Sequence, residues 1–277
     1  MAPLQRSPTS KNPNGLPMRL AATYSRDISA SPARIWENVR DWEHLPWLHA
    51  ESFSSCKIEE AADWGWRAVT YGAGAAAAQR SVVELVIDLP RSRYVSRTLD
   101  GPLPGVEIWT ALTPIEPHRT RVDVEFHLPH LSGAQAGKAG ASLVRLYTRL
   151  WDEDEAMMID RQASLDAGRH VPPPAPVQLG DLNALRASLP LTVEAGGIRV
   201  RIVDHGGALR AYPARCPHLL APLDRTVPDA QGCITCPWHG YRFDITSGLS
   251  ADGRGLTLGP IPAIDIDSSD RVSLVWR

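Results

Sequence analysis

Two pairs of metal-ligating side chains constrain this sequence more than any other feature. Cys216 and His218 flank a proline, and further along the chain Cys236 and His239 enclose a second proline-containing segment. Because each pair lies on a short loop, the two loops would each bring one cysteine and one histidine to a shared point. A [2Fe–2S] cluster with two thiolates on one iron and two imidazoles on the other needs this ligand set. The pattern therefore predicts an iron–sulfur cluster in the last third of the chain.

A structural zinc site is the alternative use of the same residues. Cys233 and Cys236 form a Cys-x-x-Cys pair of the kind that binds zinc. Cys216 with either histidine would complete the tetrahedron. Cys233, however, falls where we expect a residue in the interior of a strand, so the iron–sulfur cluster is the favoured interpretation.

The residues around both pairs resemble the Rieske family. Positions 216–223 read Cys-Pro-His-Leu-Leu-Ala-Pro-Leu, and positions 236–244 read Cys-Pro-Trp-His-Gly-Tyr-Arg-Phe-Asp. This resemblance implies that the two thiolates hold one iron and the two imidazoles hold the other. The four implied ligands are Cys216, His218, Cys236 and His239.

The part of the chain that precedes these pairs carries strand and helix signals. Residues 18–29 alternate as in a strand, and Pro32 suits the first turn of a helix whose apolar face carries Ile35 and Val39. Pro46 then interrupts this helix because it lacks a backbone donor. Six strand-like runs and a long helix follow. The predicted strands are 55–60, 66–71, 81–89, 93–99, 106–112 and 119–128, and the helix extends from about 139 to about 165.

Three segments of this first part resemble the START/Bet v 1-like superfamily. They are Ser-Pro-Ala-Arg-Ile-Trp at 31–36, Asp-Trp-Glu-His-Leu-Pro-Trp at 41–47 and Ser-Cys-Lys-Ile-Glu at 55–59. The resemblance implies a helix-grip fold, in which a curved sheet and the last helix enclose an apolar cavity. The predicted fold class is α+β, with an N-terminal helix-grip (START/Bet v 1-like) domain followed by a C-terminal all-β Rieske [2Fe–2S] domain. A fold alone predicts a pocket and no particular chemistry.

Composition divides the chain into four predicted segments. Residues 1–17 are rich in Pro, Ser and Asn and are expected to form a disordered tail. Residues 18–167 form the helix-grip domain, which is the candidate catalytic domain. Residues 168–176 contain four prolines and are predicted to be a stiff linker. Residues 177–277 form the Rieske domain.

A second candidate metal site lies within residues 38–49. Asp41, His44 and His49 follow one another as Asp-x-x-His-x-x-x-x-His. On a continuous helix the two histidines would lie about 140° apart, but a bend at Pro46 would bring both imidazoles to one point. Two histidines and one carboxylate form the facial triad of mononuclear non-haem iron(II), which leaves positions open for dioxygen.

This pattern, extended to Asn38-x-x-Asp41-x-x-His44-x-x-x-x-His49, resembles the mononuclear iron motif of the Rieske non-haem iron oxygenases. In that family the third ligand comes from the closing helix, in a Glu-Asp pair upstream of a Gln. Here the pair is Glu153 and Asp154, with Gln162 downstream, so Asp154 is the implied ligand. The resemblance also implies that Asp41 bridges a Rieske histidine and an iron histidine. The order of the two domains is reversed relative to that family.

A structural interpretation of the same residues stays open. Plain helix-grip proteins often carry an aromatic-rich Leu-Pro-x-Trp-like bend at this place, to which His49 would belong. The acidic run at 152–155 would then be a solvated helix face, and Asp41 would be a carboxylate at a helix end.

Together these features predict the terminal oxygenase component of a Rieske-type monooxygenase or dioxygenase. Electrons would pass from the [2Fe–2S] cluster to a mononuclear iron(II) that activates dioxygen against an apolar substrate, aromatic or similar to a sterol or terpenoid. Because the sequence has no Gly-x-Gly-x-x-Gly fingerprint, a separate ferredoxin or reductase is the expected electron donor. The family resemblance implies a homotrimer. The alternatives are a Rieske ferredoxin fused to a hydrophobic-ligand-binding helix-grip module, and a helix-grip cyclase or dehydratase with a regulatory Rieske domain.

Composition and charge argue against several partners. The 277 residues carry a formal net charge of −2, which gives no reason to expect nucleic acid or an anionic membrane. No apolar run approaches the roughly 18 residues of a spanning helix, and the N-terminal segment lacks the apolar core of a signal peptide. Two cysteines, Cys56 and Cys233, are left over, so a reducing, cytoplasmic setting is the simpler interpretation.

Overall fold

A computed structural model describes residues 18–129, 133–168, 172–173 and 175–276. The chain divides into two compact units, the first ending at Ile159 and the second beginning with the next residue. The predicted tail at 1–17 lies outside the described residues, and so does part of the predicted linker. The domain boundaries proposed from the sequence therefore stay predictions.

The first unit is built on one antiparallel sheet with helices on one side of it. Its strands are β1 Met18–Ile28, β2 Phe53–Ala62, β3 Gly65–Gly72, β4 Arg80–Asp88, β5 Arg93–Asp100, β6 Glu107–Glu116 and β7 Arg119–Pro129. The helices are α1 Pro32–Arg40, α2 Leu45–Leu48 and α3 Gly133–Asp166, the last of which continues past Ile159 into the second unit. The seven strands are ordered β1-β7-β6-β5-β4-β3-β2, so the first strand pairs with the last and the others follow as a meander.

The helices α1 and α2 form where the sequence gives them local reasons to do so. The Ser31 hydroxyl caps α1 by accepting a hydrogen bond from the Arg34 backbone N–H at 3.3 Å, and Pro32 occupies the first turn. The first helix ends at Arg40, before Pro46 is reached. Pro46 instead lies in the first turn of α2, where its missing N–H costs no hydrogen bond. The predicted single interrupted helix is therefore two separate short ones.

The core of the first unit lies between the sheet and α3. Phe126 on β7 is fully buried and meets Tyr147 of α3 edge to face, with ring centroids 5.0 Å apart. Gly140 lets the helix approach β1 closely, because a Cβ there would lie 2.7 Å from the Ala21 carbonyl oxygen. Its replacement by a larger residue would push α3 away from the sheet. The inner surface of the sheet and one face of α3 thereby enclose the interior.

Besides the end of α3, the second unit contains three small sheets and one short helix. Its elements are β8 Val177–Asp181, α4 Leu182–Ala187, β9 Leu191–Ala195, β10 Ile198–His205, β11 Ala208–Pro213, β12 Cys233–Thr235, β13 Arg242–Asp244, β14 Ala263–Ile266 and β15 Arg271–Val275. The sheets are ordered β11-β10-β9, β12-β13 and β14-β15-β8.

The predicted fold class is wrong for this second unit, which is not all-β. The Asp181 side chain accepts hydrogen bonds from the Asn183 and Ala184 backbone N–H groups and so caps α4. Leu185 of α4 is 3% exposed and packs in a cluster with Val272. The helix is thus a buried part of the unit, and its six residues are too short a run to stand out among the strand signals.

None of the helices in the described part of the chain is long and apolar enough to cross a membrane.

Candidate metal centres

The first candidate centre joins the segment around α2 to the middle of α3. The Nε2 atom of His44 lies 3.6 Å from the Oδ1 atom of Asp154, and the Nε2 atom of His49 lies 3.1 Å from the same oxygen. The two imidazole centroids are 5.0 Å apart. One ligand atom from each residue lies within 4.8 Å of the others. The structure therefore brings together the three residues predicted to hold a mononuclear iron, although iron binding itself stays a prediction.

The two histidines converge because they flank α2. His44 occupies the position just before this four-residue helix, and His49 occupies the position just after it. Neither residue is part of a longer continuous helix, so the separation of about 140° expected on such a helix does not apply. Asp154 projects from α3 onto the same point, as the family resemblance implied.

Each histidine directs Nε2 to the shared point and faces a carboxylate with its other nitrogen. His44 Nδ1 lies 3.6 Å from Oδ2 of Asp41, and His49 Nδ1 lies 2.5 Å from Oε2 of Glu153. Histidines that bind metals are commonly oriented in this way. The predicted role of Asp41 as a bridge to a Rieske histidine is not tested by these contacts.

Two supporting residues had no role in the sequence-based prediction, although Asn38 is the first position of the motif. Asn38 donates a hydrogen bond from Nδ2 to Oδ1 of Asp154 at 2.9 Å, and Glu153 holds His49. Asn38 lies on the buried face of α1, one helical turn before Asp41, and this spacing was the available signal. Glu153 was noted only as the neighbour of the implied ligand.

The centre is buried, and its charges are coupled. His44, His49 and Asp154 are 3%, 1% and 8% exposed. Burial acts to lower the pKa of His49, but the hydrogen bond and the charge of Asp154, with help from Glu153, raise it. Burial likewise acts to raise the pKa of Asp154, and the hydrogen bond with His49 outweighs this and lowers it. The cluster therefore stabilises a positive charge among these groups, and a divalent cation fits that requirement.

A cavity of about 330 Å³ opens beside this centre, and the three residues form part of its wall. Its other walls are mainly apolar, with Trp66, Leu85, Ile108 and Leu146 among them. The volume lies in the range of about 300–1,000 Å³ that is usual for small-molecule sites. Tyr94 and Tyr147 also line the cavity, and burial raises the pKa of both phenols.

The second candidate centre is formed by two loops with the same backbone pattern. In the first loop, the Cys216 N–H donates to the Ala221 carbonyl at 2.9 Å and the Leu220 N–H donates to the Cys216 carbonyl at 3.0 Å. In the second loop, the corresponding bonds join Cys236 with Tyr241 at 2.8 Å and Gly240 with Cys236 at 2.9 Å. The residues at matching positions, Leu220 and Gly240, both have a left-handed φ, of 64° and 68°.

The side chains of the predicted cluster ligands meet between these loops. Both cysteines are fully buried, and the His218 and His239 ring centroids are 4.6 Å apart at 79°. The hydrogen bond with Cys216 lowers the pKa of the Cys236 thiol to about 5, against the effect of burial. The same hydrogen bond raises the pKa of the Cys216 thiol. A thiolate is thus favoured at this point, as metal binding requires.

Two thiolates and two imidazoles are the ligand set that a [2Fe–2S] cluster with two histidine ligands needs. Cys233, the remaining cysteine of the zinc alternative, lies on β12 opposite Asp244.

An aromatic stack covers one face of the His218 ring. Tyr241 lies 4.5 Å from it, with an angle of 20° between the rings. The Arg254 guanidinium carbon lies 3.9 Å from the centroid of Tyr241. The positive charge of Arg254 therefore lies against Tyr241, which in turn stacks on the implied cluster ligand His218.

Comparison with known families matches both units. Residues 19–152 match the family described as polyketide cyclase / dehydrase and lipid transport, and residues 176–256 match the Rieske [2Fe–2S] domain.

Individual relatives match shorter parts of the chain. Apoptosis-inducing factor 3 of Mus musculus is 41% identical over 64 residues, which are 23% of this chain and 10% of that protein. The methanesulfonate monooxygenase ferredoxin subunit of Methylosulfonomonas methylovora is 31% identical over 78 residues, 28% of this chain and 61% of the subunit. Chloroplastic pheophorbide a oxygenase of Oryza sativa subsp. japonica is 38% identical over 50 residues, 18% of this chain and 10% of that enzyme. The chain therefore spans less than two thirds of each relative.

The family matches confirm the predicted resemblance and the predicted order of the two domains. The Rieske match also implies a [2Fe–2S] cluster, and the assignment of its ligands to the paired loops stays a prediction. The chain therefore contains a polyketide cyclase/START-like domain followed by a Rieske [2Fe–2S] domain.

Proposed function

We propose that this chain is the terminal oxygenase component of a Rieske-type oxygenase that acts on a small, largely apolar substrate. The observation that carries the proposal is the convergence of His44, His49 and Asp154 at the wall of an apolar cavity. Two histidines and one carboxylate are the ligand set of non-haem iron(II) sites that react with dioxygen. A Rieske domain on the same chain supplies a redox centre suited to such a site.

The ligand residues have distinct roles in this proposal. Cys216, Cys236, His218 and His239 would hold the [2Fe–2S] cluster, and the three residues of the first unit would hold a mononuclear iron. When bound, the cluster supplies electrons one at a time and the iron supplies the activation of dioxygen. The protein itself positions these groups and the substrate.

Side chains next to the ligands keep them in place. Asp41 and Glu153 face the Nδ1 atoms of the two histidines and so favour rings that present Nε2 to the metal. Asn38 donates to one oxygen of Asp154 and restricts its rotation. The apolar walls of the cavity exclude water and hold a substrate beside the ligands.

The same features require partners. Dioxygen is the second substrate, and a ferredoxin or reductase is the electron donor, since these 277 residues carry no Gly-x-Gly-x-x-Gly fingerprint of their own. The matched pheophorbide a oxygenase is an oxygenase by name, which supports the proposal for this chain.

A second function is favoured by one specific comparison. The matched methanesulfonate monooxygenase relative is a ferredoxin subunit, and this chain covers 61% of it. In that alternative the Rieske domain carries electrons to another protein, and the first domain binds an apolar ligand without a second iron. The two functions differ in the metal content of the first unit.

Metal analysis of the purified chain separates them. The oxygenase requires three irons and two acid-labile sulfides per chain, whereas the ferredoxin requires two irons and two sulfides. A preparation that saturates at two irons while showing a complete Rieske spectrum would contradict the oxygenase.

The substitution His44→Ala tests the same site by activity. We expect it to abolish substrate-dependent oxygen uptake, since one of three iron ligands is lost, and to leave the visible spectrum of the Rieske cluster unchanged. Oxygen uptake equal to that of the unmodified protein would remove the mononuclear site from the proposal.

A further inference from the structure

We propose that Arg26 is a positioning residue for the candidate mononuclear centre, which it supports from outside by fixing the place of α3. It acts through Glu155, the residue that follows the candidate ligand Asp154. This inference rests on the proposed function, because it concerns the same metal site. It adds to that site a residue of β1, which lies outside the motif at residues 38–49.

The four consecutive carboxylates of α3 are divided between two sets of partners. Residues 152–155 read Asp-Glu-Asp-Glu and span about one turn of the helix. The two inner members, Glu153 and Asp154, face the ring of His49. The two outer members both accept hydrogen bonds from the Arg26 guanidinium. The acidic run is therefore shared between the candidate metal centre and one arginine.

The contact of Arg26 with Glu155 is the stronger of its two contacts with this run. One oxygen of Glu155 accepts from Arg26, and the other accepts from the Ser29 backbone N–H at 2.7 Å. The Glu155 side chain is 13% exposed, whereas that of Asp152 is 59% exposed. Solvent screens a charge pair as exposed as the one with Asp152, so that pair contributes little. Arg26, Glu155 and Ser29 thus form a brace between the end of β1 and α3.

The brace lies one residue from the candidate ligand. Glu155 follows Asp154 on a helix, so a shift or rotation of this turn moves both side chains together. The segment that Glu155 contacts at Ser29 continues into α1, whose Asn38 donates to Asp154 at 2.9 Å. Asp154 is therefore fixed both through its own helix and through α1. A functional site needs its groups within about 0.5 Å of the productive geometry, so loss of the brace should loosen the centre.

Charge and position predict opposite effects for the loss of Arg26. The guanidinium is a positive charge near a site for a divalent cation, so its removal alone would strengthen cation binding. Loss of the brace instead lets the turn of α3 move, which weakens cation binding. Arg26→Gln therefore distinguishes a positioning role from a general electrostatic one.

Binding of Mn²⁺ to the cluster-loaded full chain is the first test. The chain is first dialysed against a chelator that leaves the visible spectrum of the cluster unchanged. Mn²⁺ accepts histidine and carboxylate ligands, and the EPR signal of the free ion reports how much remains unbound. We expect Arg26→Gln to weaken binding about three- to tenfold, less than the roughly 10–100-fold typical of residues that bond a metal ligand directly. Arg26→Lys keeps a charged contact with Glu155 and should bind within about twofold of the unmodified chain.

The metal-free protein gives a second test that does not depend on ion binding. The proton between His49 Nδ1 and Glu153 should give a downfield NMR resonance, as protons in imidazole–carboxylate hydrogen bonds do. We expect Arg26→Gln to broaden or abolish this resonance, because the turn that carries Glu153 is no longer fixed. Glu155→Gln removes the other member of the charge pair and should act alike, so the test survives if Arg26→Gln fails to fold.

The matched control is Asp152→Asn. It removes the exposed partner of Arg26 from the same helical turn and leaves the contact with Glu155 in place. It should keep the NMR resonance and bind Mn²⁺ within about twofold of the unmodified chain, because solvent screens this pair. The visible spectrum of the cluster should be the same in every variant.

The outcomes separate this inference from the proposed function. Unchanged or tighter Mn²⁺ binding by Arg26→Gln, or an equal loss in Asp152→Asn, would overturn the positioning role and leave the metal site standing. If the unmodified chain binds no Mn²⁺ and Arg26→Gln still loses the resonance, the result would support the positioning role and contradict the mononuclear site. A resonance that persists in both Arg26→Gln and Glu155→Gln would overturn the inference whatever the metal content.

Discussion

The two candidate metal centres are built in opposite ways. In the second unit, the ligands lie on two loops of one local pattern, and backbone hydrogen bonds of 2.8–3.0 Å close both loops. In the first unit, the ligands come from elements far apart in the chain. The contacts that hold them are between side chains 104 and 116 positions apart, His49 with Glu153 and Asn38 with Asp154.

This difference determines how each centre responds to change. A loop closed by its own backbone keeps its shape as long as its glycine and left-handed positions are kept. A site held by side chains depends on the packing of α3 against the sheet and on the charge of each supporting group. We therefore expect the first centre to be the more sensitive to substitutions outside its ligands.

The largest expected effect is at the loops of the second unit. Cys236→Ser should cause complete loss of the visible absorbance of the cluster, because one of its two thiolates is removed. Cys233→Ser is the matched control, since Cys233 lies on β12 outside both loops. It should retain the absorbance. Loss of the cluster in both variants would contradict the ligand set and revive the zinc alternative.

The next effect separates the two centres. Asp154→Asn should reduce iron content by one atom per chain without altering the Rieske spectrum. It should also lower the free energy of unfolding of the metal-free protein by about 1–3 kcal/mol, because buried imidazoles lose their charged partner. Iron analysis measures the metal content, and urea unfolding measures the free energy of unfolding. The control is Asp152→Asn, at a side chain on the same helix that is 59% exposed. It should change neither the iron content nor the free energy of unfolding. An equal loss of iron in this variant would contradict the proposed mononuclear iron site.

A smaller effect concerns the stack over His218. Arg254→Ala should lower the reduction potential of the cluster by tens of millivolts, because the guanidinium stabilises the more negative reduced state. The shift should shrink as salt is added, since Arg254 is 42% exposed. Potentiometric titration followed in the visible spectrum measures it. Arg271→Ala, at an exposed arginine of the same unit, should have little effect, and an equal shift there would show that only net charge matters.

The smallest effect is on the sheet of the first unit. Hydrogen bonds from Arg121 and Arg119 hold the pKa of Asp27 below its ordinary value of 3.8. The stability that ionised Asp27 adds to the folded protein is therefore fully present above pH 3.8, and it is lost as the pH falls through the lowered pKa. Asp27→Asn should slightly lower the urea midpoint near neutral pH, and the difference should vanish in strong acid. A difference that grows towards acid pH would contradict this linkage.

Much of the second unit was predictable because its information is local. The cysteine and histidine spacing and the surrounding loops indicated a Rieske domain, which the family match confirms. The helix α4 was missed because its six residues lie between strand signals and a single buried side chain, Leu185, anchors it. Over so short a segment, helix propensity contributes little, and tertiary packing decides whether a helix forms.

The first unit shows where local information stops. The pattern of Asp41, His44 and His49 was visible in the sequence, and the resemblance pointed to Asp154. The supporting contacts of Asn38 and Glu153 were not visible, because they depend on how α1 and α3 meet. The direction of Arg97, away from the cavity, follows from strand alternation, but its pairing with glutamates of neighbouring strands depends on the register of the sheet.

The sequence by itself determined which side chains are available as metal ligands and the order of the two domains. Spacing along the chain is enough when the groups share a loop, because a few backbone bonds then define their geometry. Only the tertiary structure decided that α2 is short enough for two histidines to meet and that α3 carries a carboxylate to them. It also decided that a largely apolar cavity lies beside them. These features arise from packing between distant segments, which no local pattern specifies.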